Sequence, residues 1–195
     1  MDMVEKQSTM LALGTKTPEF NLKGVDGEIY SNETFSESKG LLVMFICNHC
    51  PYVLHVKDGL VNMANKLIAS GVGVIAINSN DSSQEKYSED SYEKMIEYSE
   101  NWRFQFPYTI DKDQTVAKSF KAQCTPDFFL FDKNQELVYR GQMDGSRPGN
   151  DISVTGVDIL NAAGLMLKGE SPVEDQLPSS GCNIKWIPGQ EPDYF

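Results

Sequence analysis

The segment Cys47-Asn48-His49-Cys50-Pro51-Tyr52-Val53-Leu54-His55 holds two of the chain's four cysteines and both of its histidines. It follows directly on Leu41-Leu42-Val43-Met44-Phe45-Ile46, an uninterrupted apolar run of strand length. A buried strand that ends in C-x-x-C and opens into a helix places two thiols where free N–H groups and the helix dipole favour a thiolate. The thiolate is the species that attacks disulfides and peroxides, so the pattern points to thiol redox chemistry. Proline disfavours helical geometry in the residue before it and suits the first helical position. Cys50 is therefore the expected N-cap and helix start, sharing the first-turn N–H groups.

His49 lies beside Cys50, where a cationic imidazole would lower a thiol pKa; its bland reading is an exposed loop residue. His55 falls with Asp58, Asn62 and Lys66 on the polar face of the expected helix and reads as surface. A zinc site would need two ligands besides Cys47 and Cys50, and His49, His55, Cys124 and Cys182 are formally available. The chain has no second C-x-x-C and no H-x-x-x-H, so neither a metal nor a cofactor is expected. Cys124 stands two residues before Pro126, and Cys182 lies in Ser180-Gly181-Cys182-Asn183. Either could resolve a mixed disulfide, or the two could pair; alternatively Cys124 is a small buried hydrophobe and Cys182 a free thiol. Asp127 is a candidate proton acceptor, and Arg140 or Arg147 could stabilise developing negative charge. Phe128, Phe129 and Phe131 read as core.

The elements that must position these residues follow from local patterns. Pro18–Leu22 and Gly27–Tyr30 read as a short hairpin-like entry around the turn Gly24-Val25-Asp26-Gly27. A helix is expected from Pro51 to Ala69, with Val53, Leu54, Leu60, Val61, Ala64, Leu67 and Ile68 as its apolar positions and Ser70-Gly71 as its stop. Val72–Asn78 is a second buried strand, Ser79–Asp90 a surface loop, and Ser91 the cap of a helix through Asn101. A short strand at Pro107–Asp111 and a short helix at Gln114–Lys121 follow. Asp127–Phe131 and Glu136–Arg140, joined by Asp132-Lys133-Asn134-Gln135, form an antiparallel hairpin. A helix over Thr155–Leu167 closes the domain, and a proline-bearing, irregular tail wraps its surface. The order describes an α/β domain with a mixed central sheet flanked by helices on both faces. Cys47–Cys50 then lies at the carboxyl end of a central strand, where such sheets place their sites. The expected division is an extension over residues 1–14, a domain over 15–170 and a tail over 171–195.

The chain as a whole is compatible with this. Its 195 residues suffice to bury one core without staples. A net charge of −11 leaves no basic stripe for nucleic acid and disfavours anionic membranes. Met1 to Gly14 lacks a secretory signal, and no window matches a membrane span. The expected compartment is the cytoplasm, where cysteines are catalytic, metal-binding or idle rather than a structural framework.

The apolar strand with C-x-x-C, the Thr125-Pro126 step before Phe128–Phe131, and the terminal hairpin and helix together resemble the thioredoxin-fold superfamily. The N-terminal extension and the insert between the second and third core strands are similar to its peroxiredoxin-like branch, related to alkyl hydroperoxide reductase and thiol-specific antioxidant proteins. The resemblance implies a cis Pro126 against the two cysteines, leaving Thr125 and Pro126 with a backbone edge for a substrate peptide. It also implies Cys47 as nucleophile and Cys50 as resolving thiol. The chain departs from the peroxiredoxin motif P-x-x-x-T-x-x-C, with Gly40 or Val43 in place of the proline and Met44 or Cys47 in place of the threonine. It also carries Leu41 where thioredoxins have a buried acid. The function expected is thiol–disulfide oxidoreduction by Cys47 and Cys50 on protein or small disulfides, with a thiol reductant as partner. The alternatives are a peroxide reductase and a non-catalytic metal- or partner-binding module.

Overall fold

A run without a polar position needs cover on both faces, and the apolar segment before Cys47 finds it at the centre of a seven-stranded mixed sheet. The computed structural model describes residues 4–195. In chain order its elements are β1 (Glu5–Gln7), β2 (Asn21–Gly24), β3 (Ile29–Ser31), β4 (Gly40–Phe45), α1 (Pro51–Ala69), β5 (Gly73–Asn78), α2 (Tyr92–Asn101) and β6 (Tyr108–Ile110). They continue as α3 (Thr115–Ser119), β7 (Cys124–Thr125), β8 (Asp127–Asp132), β9 (Leu137–Arg140), α4 (Val157–Lys168) and β10 (Ser180–Asn183).

The main sheet runs β3-β2-β6-β5-β4-β8-β9. β4, β5 and β6 are parallel neighbours, and the other pairings are antiparallel. All six residues of β4 are buried, because helices cover both faces. Leu42 and Met44 join Ile46 and the inner residues of α1 and α4 in one core. Val43 and Phe45 point the other way, toward Val116 and Ala117 of α3 and toward Phe120, Phe129 and Phe131. Phe45, Phe120 and Phe129 meet edge to face, with ring centroids 5.5, 5.7 and 5.4 Å apart. This arrangement suits the ring quadrupoles. The mixed, two-faced α/β sheet is the one expected. No helix among the described residues is long and apolar enough to cross a membrane.

α1 has the expected bounds, with Cys50 as N-cap and Pro51 in its first turn. Its buried face is Val53, Val56, Leu60, Met63, Ala64 and Leu67. Leu54 and Ile68, expected there, are exposed instead. The 3.6-residue period places Val56 and Met63 on the stripe and turns those two outward.

Two expectations about loops need correction. The segment expected as a surface loop over 79–90 keeps exposed residues but turns four of its side chains inward. Ser79 and Asn80 are buried, and Glu85–Asp90 forms a 3-10 helix that buries Tyr87 and Asp90. The polar side chains there hydrogen-bond the Cys47–Cys50 loop and each other, which composition alone does not reveal. The tail is not wholly irregular either. β10 is the middle strand of a second, three-stranded sheet, β1-β10-β7, and joins the N-terminal extension to the strand before Pro126.

Candidate active site

β4 delivers Cys47 just past the carboxyl end of an inner strand, and α1 begins four residues later at Pro51. The Thr125–Pro126 bond is cis, as the resemblance implied. Thr125 sits between the two sulfurs: its hydroxyl is 3.2 Å from the Cys47 Sγ, and its carbonyl oxygen 3.2 Å from the Cys50 Sγ. Both cysteines are free thiols, 1% and 0% exposed.

Asn48 locks the loop between them. Its backbone N–H donates to Asp90 Oδ1 at 2.7 Å, its amide donates to the Glu89 carbonyl at 2.7 Å, and its Oδ1 accepts from the Tyr108 hydroxyl at 2.9 Å. Burial and the charge of Asp90 hold the Tyr108 phenol well above its ordinary pKa, so it stays a neutral donor. Asp90 also accepts from the Asn80 amide at 2.7 Å, and its Oδ2 lies 2.6 Å from His49 Nδ1. Asn80 in turn accepts from the Lys185 backbone N–H at 2.8 Å, which ties the tail to this network. His49 is thus not the exposed loop residue of the bland reading. Its side chain is buried, stacked on Tyr87 at 5.9 Å and turned toward Asp90. Asn48, Asn80, Asp90 and Tyr108 carry no motif, and sequence reading passed over all four.

The two thiols differ. Cys47 is pushed well above the ordinary thiol range, chiefly by burial and by its hydrogen bond to Cys50, with the Asp90 charge adding to this. Cys50 also resists ionisation through burial, but the thiols of Cys182 and Cys47 and the backbone N–H groups of Val53 and Cys182 outweigh it and bring the pKa far below the ordinary value. Donors aimed at a sulfur stabilise its anion, and the start of α1 adds to them. The Thr125 carbonyl, by contrast, favours the Cys50 thiol. The electrostatics therefore favour Cys50 as the thiolate, the reverse of the assignment that the resemblance implied.

The remaining sequence candidates fall into place around this pair. Cys182 lies against Cys50 and is pushed up, first by its hydrogen bond to that sulfur. Cys124 is buried; its thiol donates to the Pro126 carbonyl at 3.7 Å, and burial raises its pKa. In the β10–β7 register Cys182 faces Thr125 and Asn183 faces Cys124, so adjacent side chains put the two cysteines on opposite faces. Asp127 accepts from the Ser8 hydroxyl at 2.7 Å, and its Oδ2 lies 3.7 Å from Arg140 Nη2. It is held away from the sulfurs, and burial raises its pKa. Arg140 turns one nitrogen, Nη2, to Asp127 and the Lys121 carbonyl, and Arg147 bonds Gln142 and the 144–146 loop backbone. Neither arginine hydrogen-bonds a sulfur of the pair. His55, expected on the surface, is half-buried and lies 2.8 Å from the Ser146 hydroxyl. The edge expected to be open at Thr125 and Pro126 is occupied by β10.

Ligand atoms of Cys47, His49 and Asp90 lie within 4.8 Å of one another, close enough to hold a metal ion. The Asp90 carboxylate already accepts from the Asn48 N–H and the Asn80 amide, so its clearest work is holding the loop. His49→Ala should remove one partner of that carboxylate beside Cys47 and move the Cys47 ionisation further upward. Thiolate absorbance across a pH titration measures this; an unmoved second step would make His49 a packing residue only.

A C-x-x-C pair at the end of the central strand, facing a cis proline across a mixed sheet, defines a thioredoxin-fold protein. The chain belongs to the AhpC/TSA family, whose profile matches residues 13–140. Among solved structures, the chain is similar to an uncharacterized conserved protein from Geobacillus kaustophilus. The two share 46% identity and a TM-score of 0.93 over 97% of this chain and 100% of that one. It is also similar to a hypothetical protein from Sinorhizobium meliloti 1021, at 42% identity and TM-score 0.91 over 94% and 99% of the two chains. The peroxidoxin BcpB from Mycobacterium tuberculosis shares the fold, with 15% identity and a TM-score of 0.58 over 80% and 96%. No curated protein matches the sequence.

Proposed function

We propose that the protein is a thiol–disulfide oxidoreductase that cycles Cys47 and Cys50 between dithiol and disulfide. The observation that carries this is the convergence of both sulfurs on Thr125, each at 3.2 Å, beside the cis Pro126. In the reducing direction the Cys50 thiolate attacks one sulfur of a small disulfide and expels the other as a thiolate. Cys47 then attacks Cys50 of this mixed disulfide: the Cys47–Cys50 bond forms, the bond to the substrate half breaks, and that half leaves as a thiolate that takes up the Cys47 proton. An external dithiol reduces the intramolecular disulfide. Thr125 positions both sulfurs, and Asn48, Tyr108 and Asp90 fix the loop. Small disulfides are the favoured substrates over folded proteins, because β10 covers the edge at which a polypeptide would pair.

The same cover favours a second reading, reduction of a peroxide, since a small oxidant can reach sulfurs that are almost without exposure. There Cys50 becomes a sulfenic acid as the peroxide is reduced to water or alcohol, and Cys47 displaces water to form the same disulfide. Turnover of oxidised glutathione against that of hydrogen peroxide, with dithiothreitol as reductant, separates the two. Faster disulfide turnover is the expected result. Faster peroxide turnover gives the second reading, and stoichiometric bound zinc with neither activity gives the non-catalytic module.

A further inference from the structure

β10 does what an incoming peptide would do. It adds antiparallel to the strand before the cis proline, with Cys182 opposite Thr125 and Asn183 opposite Cys124. Gly181 makes this approach possible: a Cβ there would lie 2.0 Å from the Thr125 carbonyl oxygen, so no other residue fits without moving backbone. The tail is anchored on both sides. β1 pairs along the outer edge of β10, the Ile184 N–H donates to the Gln123 carbonyl at 3.0 Å, and the Gln114 amide donates to the Lys185 carbonyl at 2.8 Å. Cys182 is 3% exposed and faces Thr125, whose carbonyl oxygen lies 3.2 Å from the Cys50 Sγ, and from there its thiol and backbone N–H donate toward that sulfur. Cys47 flanks the same sulfur from the other side. Thr125 gathers the three cysteines: its hydroxyl and carbonyl lie 3.2 Å from the Cys47 and Cys50 sulfurs, and Cys182 is its partner across the β10–β7 register.

We propose that Cys182 is a third redox thiol, a tethered partner that takes over the disulfide from Cys47 while its strand occupies the substrate's place. This rests on the dithiol reading above. The Cys182 sulfur attacks Cys50 of the Cys47–Cys50 disulfide; the Cys50–Cys182 bond forms and the Cys47–Cys50 bond breaks. The electron pair goes to the Cys47 sulfur, which takes up the proton that Cys182 gives up. No further oxidant is needed, because the disulfide substrate has already supplied the two-electron oxidation. The exchange moves one half of the disulfide from the Cys47 loop to the C-terminal strand β10.

Trypsin places Cys47 and Cys50 on one peptide, Gly40–Lys57, and Cys182 on another, Gly169–Lys185. Cys47→Ser treated with oxidised glutathione should yield these two peptides cross-linked, and Cys47→Ser/Cys182→Ser should lose the cross-link and keep a glutathione adduct on Cys50. A stable adduct on Cys50 in the single variant, with Cys182 still free, overturns the third thiol. Cys182→Ser alone, which leaves the pair intact, should retain the internal Cys47–Cys50 link. If Cys47→Ser does not fold, wild-type protein denatured and alkylated early in the oxidation is read instead. The cross-link should be present there and absent in Cys182→Ser, and equal patterns overturn the proposal. Wild-type protein showing no internal link in Gly40–Lys57 and no adduct under the same treatment refutes the dithiol reading itself, a separate result.

Discussion

Cys50→Ser should abolish turnover and remove the thiolate present at neutral pH, whereas Cys47→Ser should keep that thiolate and fail only at resolution. The expected loss of turnover for Cys50→Ser is about 10³-fold or more, the scale at which removing a nucleophile ends covalent catalysis. The contrast follows from the donors. The Cys50 sulfur has the thiols of Cys182 and Cys47 and two backbone N–H groups around it, at the N-cap of a nineteen-residue helix. Cys47 has burial, the neighbouring Cys50 and the Asp90 carboxylate against its ionisation. With rising pH, the first step in thiolate absorbance should therefore appear on the acid side of the ordinary thiol value of ~8.5 and belong to Cys50. The second, on the alkaline side, should belong to Cys47 and Cys182. Cys50→Ser retaining the acid-side step would return the nucleophile to Cys47.

Gly181→Ala is expected to give the largest structural effect of any one-methyl change. The added carbon would meet the Thr125 carbonyl at 2.0 Å, and backbone atoms cannot rotate away as a flexible side chain can. Overpacking of this kind costs about 1–3 kcal/mol. The cheapest relief is to lift β10 from β7, since that pairing spans only the two residues Cys182 and Asn183. Thermal stability should fall by several degrees, and alkylation of Cys50 by iodoacetamide at neutral pH should become at least about tenfold faster as the cover is lost. A destabilised protein whose thiols remain slow to alkylate would mean that the clash is relieved elsewhere and that the tail does not gate them.

Much of this geometry is written in local residue patterns. Leu41–Ile46 reads as a strand buried on both faces because no position is polar. Pro51 and Ser70-Gly71 bound α1 because their backbone preferences act on immediate neighbours. Thr125-Pro126 is found by its place before an aromatic strand. What escaped depends on contacts between distant segments. Ser180–Asn183 has neither alternation nor branched residues, and it is a strand only because β1 and β7 flank it. Its arrival closes the expected substrate edge and turns Cys182 from a tail thiol into a neighbour of Cys50. Asp90 sits in a polar, serine-rich stretch that reads as solvated, yet its carboxylate is buried by the Asn48 N–H, the Asn80 amide and the facing His49. Such satisfied polar groups leave no periodic trace, because what buries them is their hydrogen bonding.

The central claim is the reversible Cys47–Cys50 disulfide, and mass spectrometry of the Gly40–Lys57 peptide tests it most directly. The wild-type protein should be oxidised with oxidised glutathione, blocked with iodoacetamide under denaturing conditions and digested with trypsin. The peptide should then appear unalkylated and two hydrogens lighter than its reduced form, and prior treatment with dithiothreitol should restore two alkylatable thiols. Recovery of Gly40–Lys57 with both cysteines alkylated, after an oxidation that consumes thiols elsewhere in the chain, would contradict it.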